Sequence, residues 1–210
     1  AVEIDRDLVP ELQQRFSALQ IINTDILQVD LQELLGPVTN EWRVVGNLPY
    51  NISSPLILKF ILYAHSAPGS IRDMHFMLQK EMAERMCAQP NTKAWGRLSV
   101  MVQLLAEVDG LFDVSPSSFS PPPKVDSALV RMQPRAQINL PARLSTLDRV
   151  LRQAFSARRK RLSNALKTLN IDWSVVVAEP QWRADDVGVA EFVEIAQWVD
   201  EHAAEGIGPL

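Results

Sequence analysis

The first two-thirds of the chain alternates between two hydrophobic periods. Short apolar runs ending in acids or amides, "AVEID", "LQIINTD" and "EWRVVGN", read as strands, and so does the longer "IRDMHFMLQ". Between them lie stretches of helical spacing. One covers residues 6–17, with Leu8, Leu12 and Phe16 recurring along it. Another runs from Ser54 to about Ala64, with Ser53 or Ser54 as the expected N-cap ahead of Pro55. A third follows "IRDMHFMLQ" through about Cys87. Strands separated by helices of this length imply βαβ units and a mostly parallel sheet.

The pattern then changes. "LSVMVQLLAEV" (98–108) and "KVDSALVRM" (124–132) read as two long strands joined by a Pro-rich loop, "SPSSFSPPPK", forming an antiparallel pair at the sheet edge. From about residue 135 the strand patterns stop. Leu147, Val150, Leu151, Ala154 and Phe155 share one helical face, Leu162, Ala165, Leu166 and Leu169 continue it, and a last helix fits 189–202. The expected architecture is an α/β domain over residues 1–134 followed by a small all-helical domain over 135–210, with no internal repeats.

Composition narrows the class. A hydrophobic share of 47% with 22% charged residues is ordinary for a globular chain, and no apolar run approaches the roughly 20 residues of a membrane span. The single cysteine, Cys87, cannot form an intramolecular disulfide, and His65, His75 and His202 are too scattered to suggest a metal site. A reducing, cytoplasmic compartment is the simplest reading, with no membrane and no metal expected.

The net charge of −4 argues at first against a nucleic-acid partner, but the distribution reverses that. Residues 1–41 carry eight acids against two bases, whereas residues 131–167 carry ten bases against Asp148 alone. A local basic block is the electrostatic footprint of phosphate binding. Its densest part is Arg158-Arg159-Lys160-Arg161, placed at a helix start or a helix–helix turn.

Candidate chemistry collects at strand ends, where open α/β sheets bind their ligands. Glu3 near the end of the first strand could accept hydrogen bonds from ribose hydroxyls, and Asp25 after the second could accept from an adenine amine. A solvated helix-capping or turn acid is the plainer reading of each taken alone. Asn47-Leu48-Pro49-Tyr50 after the third strand is sharper. An exocyclic amine is a poor nucleophile because its lone pair is delocalised into the ring. Two acceptors set against its two N–H groups, the Asn47 side chain and the Leu48 carbonyl, would localise that pair for attack on a methyl sulfonium. Pro49 would keep the carbonyl turned into the site, and Tyr50 would offer a face to an unstacked base. Phe119, on the stiff Pro-rich loop, could supply the other side of the stack or simply tuck into the core.

"AVEIDRDL", "GNLPYNISSPLILKF", "MLQKEMAERM", "KAWGRLSV", "SSFSPPPKVDSALVRM" and "FSARRKRLSNAL" together resemble, in order and spacing, the KsgA family of ribosomal RNA adenine dimethyltransferases, and the match extends to "PQWRADDVGVAEF". The resemblance implies a Rossmann-like class I methyltransferase sheet with S-adenosylmethionine as donor. It implies two adjacent adenines near the 3′ end of 16S ribosomal RNA as target, within a small subunit under assembly, and action as a monomer. Carried over, Glu3 would hold the donor's ribose and Asp25 its adenine, Asn47 to Tyr50 would clamp the target with Phe119 stacking, and Asn47 would also face the donor. Arg97, Lys124 and Arg158 to Arg161 would grip RNA. Two departures stand out. The family's "GQNFL"-like opening and its "E-I-G-P-G" turn, which cradles the methionine end of the donor, have no counterpart here, so an incomplete donor site is expected. Trp95 stands where the family has Tyr. The competing readings are a non-catalytic RNA-binding assembly factor, favoured by that missing turn, and a DNA adenine methyltransferase, disfavoured by the C-terminal match.

Overall fold

The computed structural model describes residues 1–36, 41–136 and 143–202. Strand β1 (Val2–Glu3), helix α1 (Leu8–Arg15), strand β2 (Ile22–Asn23) and helix α2 (Leu31–Leu35) come first. Then follow β3 (Trp42–Asn47), α3 (Ser53–Ser66), β4 (Ile71–Gln79), α4 (Lys80–Cys87), α5 (Arg97–Leu105), β5 (Ala106–Val114) and β6 (Ser127–Pro134). The C-terminal part holds α6 (Leu144–Ser156), α7 (Leu162–Ala165) and α8 (Val189–His202). None of the described helices is long and apolar enough to cross a membrane.

The α/β class and the antiparallel pair are as expected. Four strands run in the order β3-β4-β6-β5, with β3 parallel to β4 and β6 antiparallel to both its neighbours. β1 and β2 form a separate parallel ladder, Val2↔Ile22 and Glu3↔Asn23, so the first strand does not join the larger sheet by hydrogen bonds among the described residues.

One element differs outright. Residues 97–105 form a helix, and the strand begins only at Ala106. Val100, Met101, Val102, Leu104 and Leu105 are all buried, so this helix shows almost no polar face and its sequence lacks the period that separates helix from strand. The strand that pairs with β6 is instead the mostly exposed "AEVDGLFDV", whose acids and glycine suit an edge position.

From Met74 onward β4 alternates buried and half-buried side chains. Met74, Phe76 and Leu78 are buried in one cluster with Leu56, Ile57, Phe60 and Ile61 of α3, and the Phe60 and Phe76 ring centroids lie 6.2 Å apart. Burial of each such side chain stabilises the fold by about 1.5–3 kcal/mol. The same buried cluster continues into Leu147, Val150 and Leu151 of α6 and into Phe192, Ile195 and Val199 of α8. By contrast α1 buries nothing, and Ile4, Leu8, Phe16, Ile22 and Val45 are exposed.

Candidate active site

The turn after β3 is fixed by groups that point inward, leaving the chemical groups outside. Leu48 is buried, and its N–H donates to the Met77 carbonyl at 3.1 Å. Gly46 permits this, because a Cβ there would come within 2.9 Å of Leu48 Cδ2. The Pro49 carbonyl accepts from the Ile52 N–H at 3.1 Å and from Ser53 Oγ at 2.9 Å. Ser53 is therefore not the N-cap of α3: Ile52 holds that position, and the serine hydroxyl bonds back four residues to close the turn.

Asn47, Pro49 and Tyr50 are left exposed. Among the described residues nothing donates to the Asn47 side-chain oxygen or to the Leu48 carbonyl. Tyr50 Oη lies 3.4 Å from Ser127 Oγ, and Ser127 opens β6 opposite Gln79. The Pro-rich loop thus ends against the motif. Within that loop Pro116–Ser118 form a 3-10 turn, the Phe119 N–H donates to the Pro116 carbonyl at 3.1 Å, and Phe119 is half-buried without a ring contact to Tyr50.

The two strand-end acids stand at one end of the β1–β2 ladder. The Glu3 carbonyl accepts from Asn23 Nδ2 at 2.8 Å and from the Thr24 N–H at 3.1 Å, which ties the two chain segments together just before Asp25. Each carboxylate uses one oxygen locally: Glu3 Oε1 accepts from the Asp5 N–H at 2.8 Å and Asp25 Oδ1 from the Leu27 N–H at 2.9 Å. The second oxygen of each has no protein partner among the described residues. A carboxylate oxygen of this kind can accept a hydrogen bond from a hydroxyl or an amine.

The basic residues divide into two groups. Arg97 Nε donates to Asp148 Oδ1 at 2.5 Å, and Arg152 Nε to Asp148 Oδ2 at 2.7 Å. Burial alone would push the Asp148 carboxyl up, but the two guanidinium hydrogen bonds outweigh it and hold the group below the usual range. Arg158 donates to Asp185 Oδ1 at 2.9 Å and to the Trp95 carbonyl at 2.8 Å, and its guanidinium lies 5.8 Å from the Phe155 ring centroid. Trp95, fully buried, donates to the Val187 carbonyl at 3.0 Å. Arg97 and Arg158 thus brace the 93–97 loop against the C-terminal helices. Arg159, Lys160 and Arg161 are exposed in the α6–α7 connection, Lys124 is exposed beside β6, and none of the described ion pairs involves them.

Sequence reasoning passed over Lys59, Asp148 and Ser127. Lys59 could have been noticed as the lone base in the apolar stretch "SSPLILKFILYA". A cavity of about 510 Å³ between residues 172–176 and α8 shares no residue with any of these sites.

Comparison with known proteins bears directly on this geometry. A family profile described as "Ribosomal RNA adenine dimethylase" matches residues 1–201. The ribosomal RNA small subunit methyltransferase A of Pseudomonas fluorescens strain Pf0-1 is 46% identical over 97% of this chain and 75% of its own length. Its counterpart in Pseudomonas putida is 47% identical over 97% and 77%. Among solved structures, a dimethyladenosine transferase from Plasmodium falciparum superposes with a TM-score of 0.75 at 25% identity, covering 98% of this chain and 82% of that one. The 23S rRNA methyltransferase ErmE shares the fold, with a TM-score of 0.64 at 22% identity over 95% of this chain and 80% of its own. The chain belongs to the ribosomal RNA adenine dimethylase family.

Proposed function

We propose that this protein dimethylates the exocyclic amines of two adjacent adenines near the 3′ end of 16S ribosomal RNA, within an assembling small subunit, using S-adenosylmethionine. In this reading it acts as a cytoplasmic monomer. Residues 1–134 carry the transfer chemistry, and residues 135–210, partly outside the described residues, hold RNA.

The supporting observation is a pair of adjacent acceptors left unmatched. The Asn47 side-chain oxygen and the Leu48 carbonyl lack protein partners while the turn beneath them is locked by Leu48, Ser53 and Ile52. Two preorganised acceptors receive the two amine N–H groups and draw the nitrogen toward a tetrahedral state, with no reorganisation left to do when it reacts. Pro49 limits the backbone at the Leu48 carbonyl, and Tyr50, oriented through Ser127, stacks on the flipped base with Phe119 on its far side. Glu3 and Asp25 hold the nucleoside of the donor, which when bound supplies an electrophilic methyl group. Lys124, Arg159, Lys160 and Arg161 contact phosphates.

The test is methyl transfer to small subunits isolated without adenine methylation, read as N6,N6-dimethyladenosine by mass spectrometry of digested nucleosides. Its formation is the expected result. Binding of the particle without incorporation would overturn the transfer reading and leave an RNA-binding assembly protein.

A further inference from the structure

Lys59 is placed unlike the other bases of this chain. It sits on α3, nine residues beyond Tyr50, and its ammonium group donates to three main-chain carbonyls: Ile26 at 3.1 Å, Leu27 at 2.7 Å and Val29 at 2.6 Å. A lysine has three N–H donors, so these carbonyls saturate it. None of the described ion pairs gives it a carboxylate. The three acceptors belong to one turn, and that turn begins at Asp25.

The turn's own hydrogen bonds connect the clamp to the carboxylate. The Ile26 carbonyl accepts from Lys59, and the N–H of that same peptide group, which is the N–H of Leu27, donates to Asp25 Oδ1 at 2.9 Å, while the Asp25 carbonyl accepts from the Gln28 N–H at 2.9 Å. Fixing the planar Ile26–Leu27 peptide group therefore fixes the direction of the Asp25 carboxylate. The neighbouring β2 is only two residues long and exposed, and its ladder is separate from the larger sheet. Ile26 and Leu27 pack only partly on the core. Lys59 thus supplies the polar attachment of this turn to the helix that follows the Asn47–Tyr50 motif.

We infer that Lys59 is a positioning residue that sets donor affinity, by holding the Asp25 turn at a fixed distance from the target-base clamp through α3. This rests on the reading of Asp25 as a contact to the donor's adenine. Lys59 touches neither reactant in this scheme, so its removal alters binding of the donor rather than the transfer step. A carbonyl left unpaired in a partly buried turn rotates toward solvent, and Asp25 turns with it.

The experiment measures equilibrium binding of S-adenosylmethionine to the full chain, alongside methyl-transfer kinetics, for Lys59→Met, Lys59→Arg, Asp25→Asn and the double variant Lys59→Met/Asp25→Asn. Lys59→Met should weaken donor binding about tenfold, raise the donor KM in parallel and leave kcat at saturating donor within about twofold. Lys59→Arg should recover most of the loss, because a guanidinium also reaches several carbonyls. In the Asp25→Asn background Lys59→Met should cost little more, since both act through one carboxylate.

Loss of kcat and of thermal stability with donor affinity unchanged would show a merely structural lysine and overturn the inference. Additive losses in the double variant would overturn it too. If Asp25→Asn alone leaves donor binding unaltered, the assignment of Asp25 fails and the inference with it; if Asp25→Asn weakens binding but Lys59→Met does not, only the inference fails. Should Lys59→Met not fold, Lys59→Arg and a Lys59→Gln variant carry the same comparison.

Discussion

Asn47 and Asp73 show two opposite uses of a polar side chain. Asn47 is exposed at the end of β3 with its acceptor unmatched, which is an arrangement suited to an incoming donor. In the proposed clamp Asn47→Ala removes one of two acceptors for the reacting amine, so methyl transfer should fall by about 10²–10³, the scale seen when one preorganised hydrogen-bonding group is lost. RNA affinity, carried by phosphate contacts elsewhere, should stay within about twofold in a filter-binding assay. Undiminished turnover would sink the clamp. Asp73 is buried on β4 and fully matched, accepting from Arg43 Nε at 2.6 Å and from Arg43 Nη2 at 2.7 Å. These hydrogen bonds from Arg43 outweigh desolvation and hold the carboxyl below its usual range. A depressed native pKa contributes stability that is fully present above the unfolded value of about 3.9 and is lost as pH falls through the lower native value. Asp73→Asn should therefore unfold at lower urea than the unaltered protein at pH 7, and the gap should narrow progressively as pH falls below about 3.9. A gap independent of pH would mean that packing, not ionisation, is what Asp73 provides.

At the scale of elements, the α6–α7 connection separates exposed charges from a bracing charge within four consecutive residues. Arg159, Lys160 and Arg161 are exposed, whereas Arg158 is committed to Asp185 and the Trp95 carbonyl. Changing the exposed three to Gln should reduce the slope of log affinity for small subunits against log salt by about 2, at roughly 0.7–0.9 per phosphate contact, with unfolding unaffected. Arg158→Gln should do the reverse, lowering stability by about 1 kcal/mol with the salt slope nearly unchanged. Equal slopes for both would mean that the exposed bases are only a solvated face. This division was not legible beforehand, because a run of bases looks the same whether or not Asp185 lies opposite one of them, and Asp185 is 27 residues away. The strand–helix alternation through Cys87 was legible, since β4 and α3 each show one buried and one wetter face. The helix at 97–105 was not, because a helix buried on nearly every side has lost the period that would reveal it. The motif at 47–50 could be read from residue types alone. The clamp from Lys59 could not, for its acceptors are main-chain carbonyls that every residue carries.

Across the whole molecule, burial is uneven, and the thinly packed part lies beside Glu3 and Asp25. β4, β6, α6 and α8 share a continuous buried cluster, while α1 has no buried residue and the two-residue strands β1 and β2 are held by a short ladder of their own. Regions with few buried contacts open at low free-energy cost, so residues 1–23 should exchange their amide hydrogens far faster than β4 or α8, whose exchange should need global unfolding. Glu3 lies inside this labile part, and Asp25 directly follows it. A ligand that binds only the ordered form suppresses local opening in proportion to its saturation. S-adenosylmethionine should therefore slow exchange in peptides covering residues 1–29, with little change in α6 or α8. Each tenfold rise of free donor above its dissociation constant should slow exchange about tenfold there, until global unfolding takes over. Protection confined to α6 and α8, or absent altogether, would contradict the assignment of Glu3 and Asp25 to the donor. The same experiment run with Lys59→Met should show the donor-dependent protection displaced to higher donor concentration, so that the turn, the clamp and the ligand are read from one set of peptides.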